Sequence, residues 1–101
     1  MRYYTWDPAK AVANYRKHRV RFEAAVAVFV DLHVVTEMDR IEGGEQRWRS
    51  IGMVDGTLLL LVAHTEEEDD GDEIVRIISA RRADRKERRD YETALGSGHR
   101  R

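Results

Sequence analysis

Apolar positions recur along this chain with two different periods, and the change-overs divide it into a strand, two helices, a run of strands and a last helix. Arg2-Tyr3-Tyr4-Thr5-Trp6 alternates weakly and carries three aromatics, as a first strand does. Asp7-Pro8 then reads as an N-cap followed by proline at the first helical position, where its missing N–H costs nothing. From there Ala9, Val12 and Ala13, with Arg16 at the margin, share a face at i, i+3, i+4 spacing, and Lys10, Asn14 and Lys17 fall on its flanks. The small residues of that face predict close packing on a sheet. After His18-Arg19-Val20-Arg21, the positions Phe22, Ala25, Val26 and Phe29 predict a second amphipathic helix that stops near Asp31.

The period then falls to two. Val34 to Met38 favours strand, Asp39 to Gly44 has turn chemistry, and Gln46 to Met53 favours strand again. Val54-Asp55-Gly56-Thr57 places Asp-Gly between two strand-like runs, the strongest hairpin signal in the chain. Leu58 to Thr65 is continuously apolar, as a central strand buried on both faces is. Glu66 to Glu73 reads as an acidic loop, Val75 to Ser79 as the last strand, and Asp84 to about Leu95 as a charged helix. Residues 96–101 have nothing to bury and read as a flexible tail behind a single domain over 1–95. The order implies an α+β domain, with helices segregated to one side of a mostly antiparallel sheet. If Ile77 points inward, alternation sends Ser79 and Arg81 after it and Arg76, Ile78 and Arg82 to the opposite face.

Composition changes this picture in one respect. The formal charge is −1, yet Glu66 to Glu73 holds seven of the 19 acids, so the rest of the chain is basic. Arg76 to Glu92 sets Arg76, Arg81, Arg82, Arg85, Lys86, Arg88 and Arg89 against four acids, where strand meets helix. Guanidinium groups suit bidentate phosphate contacts, which points to a polyanion with RNA first, although an Arg/Glu helix is also a common solvated surface. Cysteine is absent, which excludes disulfides and thiolate metal sites. The start lacks an apolar leader and the run Leu58 to Ala63 is too short for a bilayer, so a soluble, cytoplasmic protein without membrane contact is expected. His18, His33, His64 and His99 show no paired ligand spacing, and no phosphate-loop or dinucleotide glycine pattern occurs; no metal or cofactor is expected.

Several motifs together resemble the BrnT family, toxins of bacterial type II toxin–antitoxin pairs with a RelE-like ribonuclease fold. They are Trp6-Asp7-Pro8-Ala9-Lys10 with Asn14 and Lys17-His18, Phe22-Glu23-Ala24 with Phe29, Glu45 and Arg47 before Ile51-Gly52, His64-Thr65, and Arg76-Ile77-Ile78-Ser79-Ala80-Arg81-Arg82-Ala83 followed by Glu87-Arg88 and Tyr91-Glu92. The resemblance implies two N-terminal helices on a four- to five-stranded sheet plus a C-terminal helix. It also implies an mRNA-cleaving activity neutralised by a BrnA-like, ribbon-helix-helix antitoxin, with operator DNA reached only through that antitoxin. An exposed sheet edge leaves both a homodimer and a hetero-oligomer open. This chain departs from the family at Arg19, where glycine is usual, at Arg21, where serine is usual, and at Ile41-Glu42, where His-Ser is usual. Its acidic stretch is also longer, able to repel RNA or to bind a basic partner.

Cleavage of RNA without metal needs a base, cationic support for the phosphorane and an acid for the leaving oxygen. Arg81, at the end of the last strand, is the first candidate for the phosphate clamp, against a structural ion pair. His18 at a helix end and His64 near the end of the apolar strand are candidate acid–base groups, against a dipole partner and a core histidine. Arg47 and Arg49 flank Trp48 and share a strand face, as a phosphate-binding pair or an ion-pair ladder. Tyr91 can donate a proton or seal the core, and Glu45 and Glu87 can supply a base or be solvated surface acids. Lys17, Arg49, Arg76, Arg82 and Arg85 complete the expected RNA contacts. Two rivals to the nuclease are a catalytically inactive module that only docks an antitoxin-like partner and a nucleic-acid binder without scission.

Overall fold

The computed structural model describes residues 1–98; His99 to Arg101, part of the expected tail, lie outside the described residues. The elements are β1 (Arg2–Thr5), α1 (Pro8–His18), α2 (Phe22–Ala25) continued by a 3₁₀ turn (Val26–Val30), β2 (Val35–Glu42), β3 (Glu45–Val54), β4 (Leu58–Asp69), β5 (Asp72–Arg82) and α3 (Arg85–Gly98). One sheet has the order β1-β5-β4-β3-β2, with β1 parallel to β5 and the other pairs antiparallel. This is the expected α+β fold, and the apolar run from Leu58 lies at its centre.

Asp7 caps α1 as read, its side chain accepting from the Ala9 N–H at 2.8 Å with Pro8 next. The helix turns a different face inward, however. Val12 is more than half exposed and Ala9 and Ala13 are exposed, whereas Asn14 is buried. Asn14 Nδ2 donates to the Val20 and Ala80 carbonyls at 3.0 and 2.9 Å, and its Oδ1 accepts from the Ala80 N–H at 3.0 Å. A polar side chain thus occupies the packing stripe because it satisfies the free edge of β5, which apolar periodicity cannot register. At the end of α1, Arg19 adopts φ 59°, ψ 29° and its N–H bonds the Tyr15 carbonyl at 2.8 Å. The left-handed turn expected of glycine is kept by an arginine. Arg21 starts α2 without a side-chain cap, and the guanidiniums of Arg19 and Arg21 lie 5.6 and 4.5 Å from the Tyr15 ring centre.

The second helix is one α-turn tightened into 3₁₀. Phe22, Ala25 and Val28 pack on Val54, Leu60, Val62, Ile77 and Ala80. Gly52 permits that approach, since a Cβ there would lie 2.8 Å from the Val28 carbonyl oxygen. On the opposite face Ile51, Leu59 and Leu61 are covered by Tyr91 of α3. The expected segregation of all helices to one side is therefore corrected. β4 carries leucines at both alternating sets of positions, so each face of the sheet needs cover.

Three further boundaries move. β2 runs on through Glu42, with a register shift between Met38 and Ile41, because an exposed edge strand tolerates charge. Glu66 to Glu73 is not a loop but the paired ends of β4 and β5, closed by Asp70-Gly71 at φ 52° and 87°. In β5, Ala63 pairs with Ser79 while His64 pairs with Ile77, which leaves Ile78 as an extra residue. This bulge resets the alternation: Ile77 and Ala80 both enter the helix-side core, and Arg76 and Arg81 share the other face. Arg82 diverges from Arg81, as expected. α3 extends to Gly98, beyond the expected stop near Leu95.

Candidate functional site

Outside the footprint of α3, the second face of the sheet is lined by guanidinium groups: Arg47 and Arg49 from β3, Arg76 and Arg81 from β5. Their gathering follows from pleat alternation on β3 and from the bulge on β5. Each has a carboxylate partner. Arg81 Nη1 and Nη2 both lie 2.8 Å from Glu87, and Nη1 also donates to the Arg82 carbonyl at 3.1 Å. Arg49 reaches the same Glu87 and Glu37, each at 3.2 Å. Arg76 lies 2.6 Å from Glu45, and Arg47 lies 3.4 Å from Glu42.

Glu87 is the hub of this cluster. It accepts from the Asp84 N–H at 2.9 Å while Asp84 accepts from the Glu87 N–H at 2.8 Å, a reciprocal cap that starts α3. Hydrogen bonds from Arg81 hold the Glu87 carboxyl below the ordinary range against the opposing effect of burial, helped by the Asp84 N–H and the charge of Arg49. The same carboxylate raises the Arg81 pKa. This geometry bears on two residues named from the sequence. Arg81 has both terminal nitrogens committed to a carboxylate, so its ion pair is structural; Glu87 is a fully engaged acceptor rather than a base.

A second assembly lies at the edge of β5. β1 ends opposite Arg76, and Asn14 closes the edge at Ala80, so among the described residues no strand flanks the segment Ile77 to Ser79 between them. α1 lies alongside instead. One cavity of about 230 Å³ is lined by Lys10, Ala13, Asn14, Lys17, His18, Ile78 and Ser79. The next, about 250 Å³, is lined by Asp7, Lys10, Arg47, Arg76, Ile77 and Ile78. Lys10 and Ile78 belong to both, so the two form one groove that brings together Lys17, His18, Arg47 and Arg76. Lys10 was missed as a site residue. The spacing of Lys10, Asn14 and Lys17 at i, i+4, i+7 is the signal that could have found it.

The remaining candidates lie elsewhere. His64 is fully buried on the helix side, its Nε2 2.8 Å from Ser50 Oγ and its ring edge-on to Phe29, with Ser50 in turn 2.8 Å from Thr36 Oγ1. Burial pushes its pKa down to about 4, the Arg2 charge adding to this and the Thr65 backbone opposing it. The structure thus places His64 in the core, sealed from the groove. Tyr91 is buried and donates to Asp31 Oδ2 at 2.6 Å; burial and that carboxylate push it up to about 12. It seals the core and anchors α3. Burial raises the Asp31 carboxyl, but hydrogen bonds from Tyr91 and from the Met53 and His33 N–H groups outweigh it and the net shift is downward. Arg82 and Arg85 are exposed and line neither cavity. Among the described residues no cluster of three or more His, Cys, Asp or Glu is arranged to hold a metal, and no helix is long and apolar enough to cross a membrane.

The family model for the ribonuclease toxin BrnT of type II toxin–antitoxin systems matches residues 6–87. The chain belongs to the BrnT family. Membership makes it the toxin of a type II toxin–antitoxin system, in a family of ribonucleases. The crystal structure of the Brucella abortus ribonuclease toxin BrnT aligns with a TM-score of 0.60 over 84% of this chain and 100% of that one, at 20% identity, and so shares the fold. No curated protein matches the chain. The BrnT match takes in the whole groove and the Glu87 cluster and stops before Tyr91.

Proposed function

We propose that this BrnT-family toxin cleaves mRNA without a metal, in the groove between α1 and β5 and on the adjoining arginine-lined face. The ribose 2′-OH attacks the adjacent phosphorus, the bond to the 5′ oxygen breaks, and a 2′,3′-cyclic phosphate and a 5′-hydroxyl result. Arg76 and Arg47 stabilise the charge that builds on the phosphorane oxygens. His18 is the imidazole on the groove and exchanges the proton. Arg81 is a positioning residue: through Glu87 it fixes Arg49 and the start of α3. Lys17, Arg49, Arg82 and Arg85 hold the flanking RNA. A BrnA-like ribbon-helix-helix antitoxin covers this surface and carries any contact with operator DNA.

The observation that carries this reading is one uncovered groove lined at one end by Lys17 and His18 and at the other by Arg47 and Arg76, with Lys10 and Ile78 between. Purified protein in EDTA should cut mRNA into discrete fragments, and Arg76→Ala should slow cutting by 10²- to 10³-fold, about 3–4 kcal/mol of barrier. A rate in Arg76→Ala equal to wild type removes Arg76 from the chemistry. The rival reading is an inactive module that acts only through its antitoxin-like partner; the carboxylate beside every arginine of the open face and Ile41-Glu42 in place of His-Ser favour it. Controlled induction separates the two: growth arrest relieved by the neighbouring reading frame supports the nuclease, whereas a stable complex with neither arrest nor fragments supports the module.

A further inference from the structure

We infer that the groove is a track for single-stranded RNA whose central contact is Lys10, which binds one phosphate while Lys17 on one side and Arg47 and Arg76 on the other bind phosphates further along the strand. The inference rests on the nuclease reading above and adds to it a strand geometry and a residue.

Among the described residues, the four arginines of the open face are each neutralised by a carboxylate, but Lys10 and Lys17 have no ion-pair partner. Uncompensated ammonium groups on a cavity wall attract the phosphates of a polyanion. The two lysines are seven residues apart on one helix stripe, about 10 Å along the axis, so each ammonium reaches a different phosphate of an extended strand. Their height above the sheet is fixed, because Asn14 between them is bonded to the Ala80 backbone in both directions. On the far side of Lys10, Arg47 and Arg76 line the groove. Asp7 is the one acid on this wall, and its Oδ1 is committed to the Ala9 N–H.

The same geometry selects the form of the nucleic acid. The walls are a helix and a strand edge, and the two spaces of about 230 and 250 Å³ admit a phosphodiester and its ribose but not a duplex. The floor is apolar where the bulge pushes out Ile78, which suits a ribose or an unstacked base.

The test uses a 2′-O-methyl oligonucleotide, which lacks the attacking hydroxyl and cannot be cut, bound to the full chain over a salt series. Lys10→Ala and Lys17→Ala should each lower the slope of log K against log salt by about 0.7, the value for one phosphate contact on a single strand. Lys10→Arg should restore it, Lys86→Ala should leave it unchanged because Lys86 is paired with Asp90 on α3, and a duplex of the same sequence should bind more weakly. Unchanged slopes in both alanine variants, or a duplex bound as tightly as the strand, overturn the track. Unmodified RNA separates this from the reading beneath it. A wild type that binds the methylated strand by the expected slopes and never cuts refutes the nuclease and keeps the track. A wild type that cuts while Lys10→Ala keeps its full slope does the reverse.

Discussion

The fully buried His64 sets a pH dependence of stability that can be worked through in sign and size. Glu66 Oε2 lies 3.6 Å from Nδ1, but Arg2 lies 3.3 Å from the same carboxylate, and its charge lowers the imidazole pKa while the Thr65 backbone raises it. Burial then decides, and the imidazole drops from an ordinary 6.5 to about 4. Above 6.5 the ring is neutral in both folded and unfolded chains, and stability is complete. As the pH falls from 6.5 towards 4 the unfolded chain takes up the proton and the folded chain does not, so stability declines with a slope approaching about 1.4 kcal/mol per pH unit. Below about 4 the folded imidazole titrates too and the slope ends. The full effect is about 3 kcal/mol, a large share of the stability of a domain this size. Urea unfolding of the wild type and of His64→Gln, at pH values from 7 to 4.5, measures it. Glutamine keeps a hydrogen-bonding group near Ser50 and carries no titrating ring, so the variant should be less stable at neutral pH and show the shallower slope. Parallel curves for the two proteins would refute the assignment of a low pKa to His64.

Three other outcomes follow from particular contacts. Asn14→Ala should cost about 3 kcal/mol, since it removes three hydrogen bonds and strands buried groups of Ala80 and Val20, and the urea midpoint reads the loss. Arg19→Gly should stabilise by about 0.5 kcal/mol: relief of a left-handed backbone is worth about 1 kcal/mol, against the loss of an exposed contact with Tyr15 worth about 0.5 kcal/mol; a lower melting temperature would contradict this. Glu87→Gln should destabilise by about 2 kcal/mol, discounted because Arg81 is partly solvated, and should slow RNA cleavage by loosening Arg49 and Arg81. Because the Glu87 pKa is depressed, its contribution is complete above the ordinary carboxylate value of 4.5 and is lost as pH falls through the folded value, beneath most of the His64 window.

What the residues determined by themselves is local. Asp7-Pro8 starts a helix wherever the chain goes, Asp55-Gly56 accepts the positive φ of a tight turn, and Leu58 to Thr65 is too apolar to lie anywhere but mid-sheet. The arginine-rich end and the family motifs likewise point to RNA. Tertiary structure decided the rest, because it depends on partners distant in sequence. Glu66 to Glu73 resembles a loop by charge, yet pairs across a two-residue turn because each strand satisfies the other's backbone. The inward face of α1 depends on Asn14 finding the free edge of β5, 66 residues away. One extra residue at Ile78 moves Arg81 onto the face of Arg76, and periodicity cannot anticipate a bulge made by pairing. Which cations are spent on carboxylates and which remain free is settled only when strands and helices meet, since charge in sequence carries no distance.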